Sequence, residues 1–209
     1  TKNFISATNV SQIFSNTSEI TIMAFAVTLL IIAGEIDLSI AANLALSSSV
    51  LGYTYRAGTP IFVSILIAIL VGTFCGAING FFVTKVKLNS LAVTIATMAL
   101  FRGLANGLVG SKPISEFPDG WTSFGFDTIG TSFVPKTLPM IIVLAIIFAL
   151  VLHRTPFGRR TFAIGQSVDA AKFAGINVDR HKWLLFILTG TMSGLASVVY
   201  TFRFSLSQP

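Results

Sequence analysis

Apolar residues run in long blocks along this chain, and short polar intervals divide them. The blocks predict membrane-crossing helices over 20–33, 39–55, 60–84, 90–109, 137–152 and 183–202. At about 1.5 Å of rise per residue, a helix needs about 20 apolar residues to cross the hydrocarbon core of a bilayer. The first block and 137–152 are short by that measure. Before the first block, Val10, Ile13 and Phe14 form an apolar stripe at helical spacing in otherwise polar text. That spacing predicts a short helix lying in the membrane interface. Between the first two blocks, Gly34-Glu35-Ile36-Asp37-Leu38 interrupts the pattern with two acids and no Lys or Arg. Carboxylates at membrane depth are costly and face a cavity or a partner, so the interruption reads as a helix break held inside the protein. A plain tight loop at the cytoplasmic surface is the alternative.

The polar intervals carry the orientation. Arg154, Arg159, Arg160, Lys172, Arg180 and Lys182 face only Asp169 and Asp179 in the longest of them. Lys and Arg concentrate in loops left on the cytoplasmic side. With Lys85 and Lys87 this side holds eight cations, against four (Lys2, Arg56, Lys112, Lys136) on the other. The order is then an outer amphipathic segment, an inward span, the break, three spans alternating outward, inward and outward, an outer loop over 110–136 (with Glu116, Asp119 and Asp127), an inward span, the basic loop 153–182 and an outward span. The basic loop has its own small helix over 168–174: Ser167 caps it, Asp169 stands in the first turn, and Gly175 closes it in a left-handed conformation. Such an element suits docking of a cytoplasmic partner; an ordinary solvated loop has the same composition.

Gly72, Gly76 and Gly80 recur every fourth residue, as do Gly190 and Gly194, which predicts close helix contacts. On that face Gly76→Leu would force helices apart, with Gly76→Ala better tolerated. Arg102 lies among Gly103, Asn106 and Gly107, where it either snorkels to the outer interface or lines an aqueous path. With 53% hydrophobic and 11% charged residues and a mean hydropathy of +0.82, against about 25% charged in soluble domains, the fold class is all-α: one polytopic transmembrane helical bundle over 1–209. The net charge of +6 belongs to the inner loops and implies no nucleic acid. Cys75 is the single cysteine, so no disulfide framework, metal site or cofactor is expected. No phosphate-binding G-x-x-x-x-G-K-[ST] loop occurs, so nucleotide chemistry must come from another chain. The opening at Thr1 and the stop at Pro209 directly after a helix suggest a piece of a longer protein.

Three stretches, GEIDLSIAANLAL, INGFFVTKVKLNSLAVTIATMALFRGLA and FGRRTFAIGQSVDAAKFAGINVDRHK, together resemble the permease subunits of bacterial ABC importers for sugars. The resemblance is to the ribose- and rhamnose-type permeases, related to the branched-chain amino-acid ones, and it covers nearly the whole chain in the same order. Ribose-type members usually carry Gly-Gly-Ile-Asp-Leu-Ser where Glu35 follows Gly34 here, which leans toward the rhamnose-type branch. The resemblance implies a second permease subunit (homo- or heterodimer), two ATPase subunits, a periplasmic sugar-binding protein and a place in the bacterial inner membrane. It implies that Gly165, Val168, Asp169, Ala170, Ala171, Ala174 and Gly175 form a coupling helix seated in an ATPase groove. An uncharged sugar needs hydroxyl and amide partners, so Asp37 and Ser39 of the break, with Asn43, Asn79, Thr94 and Asn106, are candidates for the path. The competing reading is an ion-coupled transporter or channel with Glu35 and Asp37 as the ion site. A membrane enzyme lacks any His-rich or acidic cluster on one helix face.

Overall fold

In the computed structural model, residues 6–110, 113–115, 117–129 and 134–207 are described. Lys2, Lys112 and Glu116, counted above in the outer segments, lie outside them. The helices are α1 (Ala7–Asn16), α2 (Ser18–Ile32), α3 (Ile40–Arg56), α4 (Ile61–Thr84), α5 (Ser90–Val109), α6 (Asp119–Phe126), α7 (Leu138–Arg154), α8 (Pro156–Gln166), α9 (Val168–Phe173) and α10 (Val178–Phe204). The pairing seen among described residues outside helices is two isolated bridges, Ile114 with Ser207 and Thr128 with Pro135. The all-α bundle stands, and the chain is a multi-pass membrane protein.

Several boundaries differ from expectation. The last helix starts at Val178 and runs 27 residues, so it is longer than the 24-residue α4. Its first turn is polar, and hydropathy alone hides it; Asn177 caps it by accepting from the Arg180 N–H at 3.0 Å. The 110–136 interval contains α6, whose Trp121 packs with Phe117 and Phe202 at one end of the bundle. The basic interval holds two helices rather than one, because Pro156 at the first turn and the Thr155 cap start α8. By length and apolarity α4, α5 and α10 can each cross a membrane, and five spans result if the bent pairs α1–α2 (47°) and α7–α8 (67°) each count as one. Of the six expected spans α3 is the one left over, at 17 residues.

Helix α10 is the centre of the bundle. Leu185, Phe186, Met192 and Ala196 pack with Ile22, Ala26, Leu29 and Leu30 of α2 in the main core. Against α4 the contact is made of backbone. A Cβ on Gly72 would lie 2.7 Å from the Gly190 carbonyl oxygen and 2.8 Å from Gly194 Cα. One on Gly76 would overlap the Phe186 carbonyl oxygen, and one on Gly80 would lie 2.6 Å from Trp183 Cδ1. The two glycine stripes thus face each other, as small-xxx-small spacing predicts. The opposite side of α4 presents Phe62, Leu66, Leu70 and Phe74 outward, and α7 presents Ile142, Val143, Ile146 and Ile147. With no water in the hydrocarbon layer, such faces need no cover.

Candidate functional site

Gly34 ends α2 with φ +80°, a conformation open to glycine without a Cβ penalty. The chain then turns through Glu35 to Leu38, and Ser39 is the residue before α3. Asp37 is 7% exposed. Its Oδ1 accepts from the Ser39 N–H at 2.8 Å and the Ser39 hydroxyl at 2.7 Å, and its Oδ2 accepts from the Thr189 hydroxyl at 3.4 Å. Asn79 Nδ2 donates to Ser39 Oγ at 2.7 Å, while its own Oδ1 is buried without a partner among the described residues. The backbone of the break is held from α5, where Ser90 Oγ accepts from the Ile36 N–H at 3.4 Å and Thr94 Oγ1 lies 3.5 Å from the Ile36 carbonyl. From α10, Ser193 Oγ donates to the Ile40 carbonyl at 2.7 Å. Elements far apart in sequence therefore converge on four residues, Ile36, Asp37, Ser39 and Ile40.

Of the expected path residues, Asp37, Ser39 and Asn79 form one hydrogen-bonded group. Asn43 stands apart, donating to the Gly72 carbonyl at 3.1 Å and accepting from Ser47. Thr94 spends its shorter bond on its own helix, to Ser90 at 2.8 Å. All five are buried among helices of this chain rather than along an open channel. Asn106 is exposed with Arg102 and Gly103 on the outward face of α5, away from the other five. Thr189 and Ser193 went unnoticed in the sequence; they bracket the Gly190 position at helical spacing, and that hydroxyl stripe was the available signal.

Glu35 sits at the other edge of the break. It pairs with Lys182 of α10 at 2.5 Å, the two side chains being 12% and 14% exposed. Lys87, held at φ +64°, pairs with Asp179 at 2.5 Å. A cavity of about 190 Å³ between them is walled also by Val168 and Lys172 of α9. The break thus starts level with the basic loops at Glu35 and reaches inward to Asp37, which meets Thr189 seven residues further along α10. The break therefore has a partly exposed edge at Glu35 and a buried end at Asp37. Among the described residues no group of three His, Cys, Asp or Glu is placed to hold a metal.

The segment before α10 is joined to the same break. Gly165 of α8 lies so close to α2 that a Cβ there would overlap the Ile32 carbonyl oxygen. Ser167 Oγ accepts from the Ala170 N–H at 3.2 Å, Asp169 is in the first turn of α9, and Gly175 follows with φ +78°, as the residue types predict. Within α9 the faces divide sharply. Ala171 is turned inward, into the core cluster that holds Ile164 and Val178, and is not on the exposed face of α9. Asp169, Ala170, Lys172 and Ala174 are exposed, Val168 is half-buried, and Phe173 is 94% exposed. Sequence reasoning passed over Phe173, although a lone aromatic on a polar two-turn helix was a visible signal.

The profile of the family described as branched-chain amino acid transport system / permease component matches residues 9–209. The autoinducer 2 import system permease protein LsrD of Yersinia enterocolitica is 36% identical over 184 residues, covering 85% of this chain and 55% of the relative. The ribose import permease proteins RbsC of Haemophilus influenzae and of Bacillus subtilis are each 34% identical, covering 99% of this chain and 64% of theirs. The chain therefore spans less than two thirds of the length of these relatives. No solved structure matches it.

Proposed function

Since the chain belongs to the family of permease components of branched-chain amino acid transport systems, we propose that it forms the membrane path of an ATP-driven importer of a sugar or sugar-like solute. The observation that carries this is the similarity to ribose import permeases across 99% of the chain. The ATPase would be a separate subunit, and this chain would do no bond-breaking chemistry. A second permease subunit and an external sugar-binding protein complete the assembly in a bacterial inner membrane, with α8 and α9 on the cytoplasmic side. The outward face of α5 with Arg102, Asn106 and the open Gly103 and Gly107 positions is the polar surface available to a path or to the second subunit.

The coupling element in this reading is α9 presented on its α8 base. Phe173, with Ala170, Asp169 and Ala174 beside it, is the knob that an ATPase groove would take. Gly165 seats α8 on the end of α2, and Lys182 holds Glu35, so a rigid-body push on α9 reaches the break through two contacts. The family match favours this over ion-coupled transport, and Glu35 is already engaged by Lys182. The test is co-purification of the ATPase with wild-type, Phe173→Asp and Lys172→Ala permeases. A desolvated aromatic anchor is worth about 2 kcal/mol or more, or about thirtyfold in affinity. Phe173→Asp is expected to insert normally, lose the ATPase and lose solute uptake, while Lys172→Ala retains both. Full ATPase retention by Phe173→Asp would remove α9 as the docking element.

A further inference from the structure

The charged groups of the 154–182 segment divide by residue type. Its two acids are both taken, Asp169 by Lys172 at 4.0 Å and Asp179 by Lys87 at 2.5 Å, and Lys182 is taken by Glu35. Every lysine of the segment therefore has an acidic partner. Arg154, Arg159, Arg160 and Arg180 have no ion pair among the described residues. Two of these arginines, Arg160 and Arg180, face one cavity of about 500 Å³, which Phe157, Asn177, His181 and Leu184 also line. His181 is fixed there, with Nε2 2.8 Å from the Thr161 hydroxyl and its ring 4.4 Å from that of Phe157. Asp179 and Asp169, the segment's own acids, are not among the lining residues.

The level of the cavity follows from the helices that frame it. α7 ends its apolar run at Arg154, the chain turns by 67° into α8, and the apolar part of α10 begins at Trp183 and Leu184. The cavity lies between these points, where the apolar runs of α7 and α10 meet the polar 155–182 segment. Its wall is mixed in the same sense, with Phe157 and Leu184 apolar and two guanidinium groups beside them. Leu184 and Phe162 are also exposed on the surface of the same helices. Arginine differs from lysine in offering a planar fork of donors that matches a phosphate, and its weaker hydration suits a partly dry site.

We propose that this cavity binds the phosphate of an anionic phospholipid headgroup, with Arg160 and Arg180 as its ligands and the acyl chains lying along Leu184. The inference rests on the membrane setting and not on the docking role of α9. Basic pockets between membrane helices are suited to such headgroups, and each nearby Lys or Arg adds appreciably to anionic lipid binding. An acidic face of a cytoplasmic protein would satisfy the arginines too, but it would leave the apolar wall unexplained.

The test is native mass spectrometry of the purified permease in detergent, titrated separately with phosphatidylglycerol, phosphatidylcholine and inorganic phosphate. Wild type is expected to retain phosphatidylglycerol over phosphatidylcholine. Arg160→Gln with Arg180→Gln is expected to lose about thirtyfold in that retention. An Arg56→Gln, Lys85→Gln variant, which removes the same net charge elsewhere, is expected to keep it. Equal thermal unfolding midpoints for the variants and wild type establish that the fold is intact. Should the double arginine variant unfold earlier, Arg160→Lys with Arg180→Lys replaces it, and a loss of retention with charge kept supports the bidentate site. Three results overturn the proposal: equal losses in both charge-removal variants, saturation by inorganic phosphate with no preference between lipids, or unchanged phosphatidylglycerol retention in the double arginine variant.

Discussion

At the scale of single residues the α4–α10 contact turns on hydrogen atoms in place of methyl groups. Legibility ran high here: the four-residue spacing of glycines announced the contact before any partner was visible. What spacing could not give was the clearance. Gly76→Ala was expected to be better tolerated than Gly76→Leu, yet even its Cβ would overlap the Phe186 carbonyl oxygen and sit 2.9 Å from Gly190 Cα. Both obstacles are backbone and cannot rotate away. Gly76→Ala should therefore cost about 1–3 kcal/mol, as overpacking does. Gly103→Ala, with nothing within 4 Å of its Cβ, should change stability by less than about 1 kcal/mol. Thermal unfolding of the two variants in detergent checks this, and a tolerated Gly76→Ala would mean that the helices stand further apart.

At the scale of elements, α9 was read correctly in place and in caps because its signals are local. Ser167, Asp169 and Gly175 each act within one turn, and local rules transfer directly from sequence. Which side of α9 faces the protein is a tertiary fact that six residues cannot encode, and Ala170 and Ala171 look alike in text. α8 was missed because its polar surface resembles a loop, while the features that build it, Thr155 and Pro156, are brief. Ala171→Arg now has a different expected outcome. The guanidinium would enter the cluster of Ile164 and Val178, and an unpaired buried charge costs several kcal/mol. The variant should lose stability of the permease itself, whereas Ser167→Ala should lose only about 1 kcal/mol from a missing cap. Unfolding midpoints of both variants, with no partner present, decide the matter.

At the scale of the whole molecule, two ion pairs hold the final helix to the front of the chain, one at each end of the bundle. Lys182 meets Glu35, and Arg203 meets Glu19 at 2.6 Å with a further bond to Asn16 at 2.7 Å. Neither pair was legible, since acids and bases separated by nearly the whole chain leave no trace in spacing. Removing one partner of a buried pair costs about 3–5 kcal/mol, because the other charge is left alone. For Lys182→Met a loss below that range is expected, since both side chains keep some contact with solvent. Adding Glu35→Gln should recover much of the loss, and a double-mutant cycle of unfolding midpoints measures the coupling. Additive losses would show that the pair is incidental.

Because α10 is synthesised after α2 to α4 and is also the helix on which they close, these helices cannot pack in the order in which they are made. Until residue 203 exists, Glu19 lacks its cation, Asp37 lacks the Thr189 hydroxyl, and the glycine stripe of α4 lies bare. The earlier helices therefore keep these polar groups and the bare glycine stripe without their partners until α10 arrives. The same glycines that allow the close fit thereby make packing of α4 depend on a helix synthesised about a hundred residues after it.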